Sequence, residues 1–121
     1  MSTYLLDTNV LIGHLQTGEL NHAPKDTHFT ISVITEAELF RLPGLGEKEL
    51  EHIADLLTIC KGIPVDSAIA RKAAALGRTR KTKMLDLLIA ATAIEHRLTL
   101  ITKNLRDFKF IPGLTLKKSF V

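Results

Sequence analysis

Short apolar runs alternate with helical segments along the chain, and this alternation is the strongest constraint on its fold. Tyr4 to Leu6, Phe29 to Ser32, Ile63 to Val65 and Leu98 to Thr102 read as strands, with a fifth candidate at Leu114 to Leu116. Helices fill the gaps. Asp7 or Thr8 can cap one over Asn9 to Leu15, and Ser32 can cap another that runs to Phe40 and stops at "LPGLG". A third is expected over Glu47 to Cys60, a fourth from the Asp66 cap to near Gly77, and a fifth from Lys83 to His96. Strands that alternate with helices predict an α/β fold: three α/β/α layers around a short, mostly parallel sheet of four to five strands. With 121 residues, 45% of them hydrophobic, the chain can bury one core without disulfides, so residues 1–121 are expected to form a single domain.

In such sheets ligands bind outside the carboxyl ends of the strands. Polar residues just beyond those ends therefore carry functional weight. "DTN" follows the first strand, "VITEAEL" the second and "TKNLRD" the fourth, which places Asp7, Glu38 and Asp107 beyond one edge. Asp86 opens the helix that leads back to strand four, and a parallel crossover starts that helix at the same edge. Taken singly, each acid has a plainer structural role: Asp7 as a helix cap, Asp86 as a complement to a helix dipole, Asp107 as a surface partner of Arg106 or Lys109. Glu38 has apolar Ile34 and Leu42 four residues to either side, which puts it on a half-buried line and prefers it, weakly, to Glu36.

Charge strengthens the joint reading. Residues 1–70 carry four Lys/Arg against ten Asp/Glu, whereas residues 71–121 carry twelve against three, and two of those three are Asp86 and Asp107. "RKAAALGRTRKTK", Arg71 to Lys83, holds six basic residues and no acid, a composition suited to a phosphate backbone or to a solvated helix face. Clustered carboxylates without a neighbouring base repel one another and call for a cation. All-oxygen ligation suits Mg²⁺ or Mn²⁺ better than zinc, and the five histidines, at 14, 22, 28, 52 and 96, show no pairing that would bring two of them to these acids. An acidic metal cup beside a basic patch points to phosphodiester hydrolysis. The competing classes are a binding module that does not cleave, and phosphoryl transfer through an aspartyl intermediate. The second asks for an Asp-x-Asp opening, and Asn9 stands in its last place.

The apolar stretch around Leu85 to Ile94 is too short to span a bilayer, and the N-terminus lacks a basic, cleavable leader. Cys60 has no second cysteine to pair with. These features predict a cytoplasmic protein, with Cys60 packed in the core on the third helix.

"YLLDTNVLI", "ISVITEAEL", "DLLIAATAI" and "LTLITKNLRDF…IPGL", in this order, resemble the PIN-domain family, and within it the VapC-type ribonuclease toxins of toxin–antitoxin pairs. The resemblance covers essentially the whole chain. It implies an endoribonuclease in which Asp7, Glu38, Asp86 and Asp107 are catalytic and hold one or two Mg²⁺ or Mn²⁺ ions, with Thr8, Asn9, Thr102 and Asn104 orienting them. It also implies an RNA substrate, homodimerisation and a VapB-like antitoxin partner. Arg78, Arg80, Lys81, Lys83 and Lys103 are candidate RNA contacts from the basic half. Leu85 stands where such proteins often have a polar residue, and "LPGLG" replaces a simple turn.

Overall fold

A computed structural model describes residues 2–120. In chain order its elements are β1 (Ser2–Leu6), α1 (Thr8–Thr17), a 3₁₀ turn (Glu19–His22), β2 (Thr27–Ser32), α2 (Val33–Phe40), α3 (Glu47–Thr58) and β3 (Cys60–Ile63). The second half adds α4 (Ser67–Gly77), α5 (Met84–Glu95), β4 (Thr99–Ile101), α6 (Leu105–Phe108) and β5 (Leu116–Lys117). All pairings are parallel, in the order β3-β2-β1-β4-β5. The α/β alternation expected from the sequence is therefore the observed architecture.

Side-chain caps account for three of the six α-helix starts. Asp7 caps α1 by accepting from the Thr8 N–H at 2.8 Å, Ser32 caps α2 through the Ile34 N–H at 3.1 Å, and Asp66 caps α4 through the Ile69 N–H at 2.9 Å. Helix α1 ends at Gly18, whose φ of 71° closes the last turn.

Side chains alternate across the sheet. Leu5 and Leu100 join a core with α4, α5 and α6, including Ile69, Leu87, Ile89 and Phe108, while Leu6 and Ile101 join the opposite core with Leu11, Leu39 and Ile53. Both faces of the sheet are thus covered, as a parallel sheet requires. Among the described residues no helix is long and apolar enough to cross a membrane.

The third strand differs from expectation. It runs over Cys60–Ile63, not Ile63–Val65, because Pro64 has no N–H for the ladder and the segment pairs with β2 in the register Phe29↔Cys60 to Ser32↔Ile63. Helix α3 correspondingly stops at Thr58, so Cys60 opens an edge strand. It is half-buried, with its thiol 3.7 Å from the Leu56 carbonyl, and burial pushes its pKa up to about 11. The last strand also begins later, at Leu116, after a turn in which Gly113 takes φ 82°. Helix α6 has no counterpart in the sequence reading; at four residues it is too short to show a period.

Candidate active site

Strand order reverses between β1 and β4, and the crevice at such a switch point is where open α/β sheets bind ligands. Leu6 and Ile101 form the last paired rung of these strands. The next residue on each, Asp7 and Thr102, are therefore neighbours at the carboxyl edge, and the Asp7 N–H donates to the Ile101 carbonyl at 2.9 Å. Asp7 is 6% exposed and Thr102 fully buried. The Thr102 hydroxyl donates to Asp7 Oδ2 at 2.7 Å, and the Asn9 amide donates to the same oxygen at 3.2 Å. Asp7 is thereby held through both oxygens, one by the helix start and one by two side chains.

The remaining acids come from three helices. Glu38, half-buried on α2, accepts from the Thr8 hydroxyl at 2.6 Å; exposed Glu36 takes no part. Asp86 stands in the first turn of α5 and Asp107 in α6, where the Asn104 amide donates to Asp107 Oδ2 at 2.6 Å. Burial first, then repulsion from Asp7, Glu38 and Asp107, pushes the Asp86 carboxyl up to about 6, partly countered by Lys83. Burial also raises Asp7 above the ordinary aspartate range, against the lowering effect of the Thr102 and Thr8 hydrogen bonds, and repulsion from Glu38 and Asp107 adds to the rise.

Among the described residues no three His, Cys, Asp or Glu side chains converge closely enough to enclose an ion by themselves. The donor set nonetheless fits Mg²⁺ or Mn²⁺, which are typically held by one or two carboxylates and complete their shell with water and substrate oxygens.

Beside Asp86 and Asp107 opens a groove of about 430 Å³. Arg80, Lys81, Thr82 and Lys83, from the loop between α4 and α5, line it together with Arg106, Phe110 and Ile111. Of the basic residues expected to meet RNA, Arg80, Lys81 and Lys83 line this groove and Arg78 does not. Lys103 is elsewhere, paired with Glu19 at 2.9 Å.

A PIN domain family model matches residues 4–113. The chain belongs to the PIN-domain family. Solved structures agree. A toxin–antitoxin complex from Klebsiella pneumoniae contains a chain 32% identical to this one, aligned over 93% of this chain and 95% of that one with a TM-score of 0.76. VapBC2 from Rickettsia felis, solved with a DNA fragment from its promoter, has a chain 25% identical over 95% of this chain and 97% of its own, at a TM-score of 0.79. DNA-bound VapBC from Salmonella typhimurium has one 25% identical, with coverages of 97% and 98% and a TM-score of 0.78. No curated protein sequence matches the chain.

Two contributors to this PIN-domain site were not singled out from the sequence. Thr35 is fully buried, with its hydroxyl 3.1 Å from that of Thr8, beneath the bond from Thr8 to Glu38. Its position one helical turn before Glu38 was the available signal. Arg106 brings a further positive charge to the groove from the residue before Asp107.

The raised carboxyls make a prediction for the metal-free PIN domain. The folded state keeps the Asp86 proton to about pH 6, whereas the unfolded chain releases it near pH 4. Between these values the native state binds more protons, so stability falls as pH rises. The expected loss is about 2 kcal/mol after solvent screening of a half-buried group. Asp7 acts in the same direction. Thermal melts in a chelator should give a higher Tm near pH 4.5 than near pH 7; a flat or rising profile would contradict the raised Asp86 carboxyl.

Proposed function

We propose that this protein is a metal-dependent endoribonuclease and the toxin of a type II toxin–antitoxin pair, acting as a homodimer and held by a VapB-like antitoxin. The observation that carries the reading is the placement of Asp7, Glu38, Asp86 and Asp107 at the sheet's switch point, beside a groove lined by Arg80, Lys81, Lys83 and Arg106. Membership of the PIN-domain family and likeness to chains of VapBC complexes support it.

Each part of the site has a separate task. The carboxylates would hold Mg²⁺ or Mn²⁺, one ion or two, and their mutual repulsion, evident in the raised Asp86 carboxyl, favours the arrival of positive charge. Such an ion, once bound there, would supply an activated water and positive charge to offset that on the scissile phosphate. Thr102 and Asn9 keep Asp7 aimed, Thr8 keeps Glu38 aimed, and Asn104 does so for Asp107. The groove's cations hold the flanking phosphates through charge, without reading sequence.

Purified protein incubated with RNA should cleave it in Mg²⁺ or Mn²⁺ and stop when a chelator is added. RNA that remains intact across both metals, with binding retained, would instead assign the protein to the non-cleaving binders.

A further inference from the structure

The groove contains one side chain that phosphate binding does not explain. Phe110 is 81% exposed, the most exposed of the large apolar side chains among the described residues. The chain's other aromatics are placed differently: Phe108 is buried, Tyr4 and Phe29 pack edge-on against Phe120 at 5.5 and 5.8 Å, and Phe40, at the end of α2, is half as exposed and does not line the groove. The backbone around Phe110 is nevertheless well anchored. Phe108 and Ile111, on either side of it, are both buried, and the Ile111 N–H donates to the Phe108 carbonyl at 3.1 Å. The ring is thus presented to solvent by a fixed turn.

Its surroundings select what it meets. Phe110 shares the groove with Arg80, Lys81, Lys83 and Arg106 on one hand and with Asp86 and Asp107 on the other. The Lys109 ammonium sits over one face of the ring, 4.9 Å from its centroid, which leaves the opposite face for stacking. Cations that track a phosphate backbone, beside an aromatic face open to stack a base, are the two components of single-strand recognition. A base inside a duplex is already stacked on both faces and is not free to meet such a ring.

We infer that Phe110 is a stacking platform for a nucleobase next to the scissile phosphate, so that the groove takes unpaired strands in preference to duplex. The inference rests on the nuclease reading for the identity of that strand as RNA. Stacking adds affinity without contributing to the chemical step, and it tolerates any base because every base has a π-face.

The chain contains no tryptophan, so Phe110→Trp places its one tryptophan, excited selectively over Tyr4, on the platform itself. Titrated with an unstructured oligoribonucleotide in a chelator and again in Ca²⁺, this variant should bind about as tightly as the wild type, and its fluorescence should be quenched on saturation. Phe110→Ala should bind the same oligomer about tenfold more weakly, the loss of one base–aromatic stack, and should raise KM for cleavage with little change in kcat. A duplex of the same sequence should bind both proteins alike.

Equal single-strand affinity for Phe110→Ala and wild type overturns the inference. So does an equal loss on duplex, an absence of quenching, or wild-type protein that binds no oligomer. A changed oligomeric state in Phe110→Ala with unchanged RNA affinity would reassign the ring to a protein interface. The two readings separate cleanly: cleavage indifferent to Phe110→Ala removes the platform and keeps the nuclease, whereas binding that depends on Phe110 with no cleavage in either metal does the reverse.

Discussion

Asp7→Asn should reduce RNA cleavage on the order of a hundredfold or more while the protein stays folded. The substitution is nearly isosteric, and the amide oxygen can still accept from the Thr8 N–H that Asp7 caps at 2.8 Å. What disappears is the negative charge at the centre of the site. The new amide nitrogen also faces the Asn9 amide, which in the native protein donates to Asp7 Oδ2 at 3.2 Å, so two donors meet where a donor met an acceptor. A second readout is independent of activity. Asp7 is the largest source of charge repulsion on Asp86, so in metal-free Asp7→Asn the Asp86 carboxyl should titrate lower than about 6 and stay raised by burial and by the remaining Glu38 and Asp107 charges. An NMR pH titration of the two proteins measures this. Full cleavage activity in the variant would remove Asp7 from the catalytic set; an unmoved Asp86 would show that the two carboxylates are not neighbours.

The largest stability effect is expected at Phe108. Its side chain is 1% exposed and lies in the core shared by α4, α5 and β4. Phe108→Ala should cost about 3–5 kcal/mol, the usual range for emptying an aromatic from a packed site. For a chain of this size that lowers Tm by roughly 15 °C. The consequence extends to the site, because α6 is four residues long and Phe108 is its buried anchor. With the anchor gone, Asp107 and the Asn104 amide that holds it at 2.6 Å lose their fixed place beside Asp86. Activity measured well below the melting point should therefore fall as well, and Phe108→Leu should restore most of both losses. Phe108→Ala with a wild-type Tm would mean that α6 is held by its loop and not by the core.

Much of the architecture was legible because it is set by neighbours along the chain. Strand and helix alternate in plain view, and Ser32 and Asp66 announce helix starts that the structure places as expected. The carboxylate rim followed from one further rule, that parallel strands share a carboxyl edge. Burial decided between Glu36 and Glu38, which periodicity separated only weakly: Glu38 is half-buried against Thr8, and Glu36 is exposed. Thr102 was read as an orienting group, and its hydroxyl does reach Asp7.

Other features depend on contacts between distant segments. Cys60 continues a helical pattern in sequence yet begins an edge strand, because pairing with Phe29 outweighs one more turn of helix. Lys103 resembles the other basic residues of the second half, but Glu19, 84 positions earlier, takes its ammonium. Phe108 and Phe110 are two residues apart on either side of Lys109, and only the packed turn shows that the first is core and the second is surface. The sequence by itself determined the layers of the fold and the edge on which the acids lie, since caps, periods and strand direction are local properties. The tertiary structure alone decided which charges meet, which are neutralised and which aromatic faces the groove, since each depends on side chains brought together by chain closure across many residues.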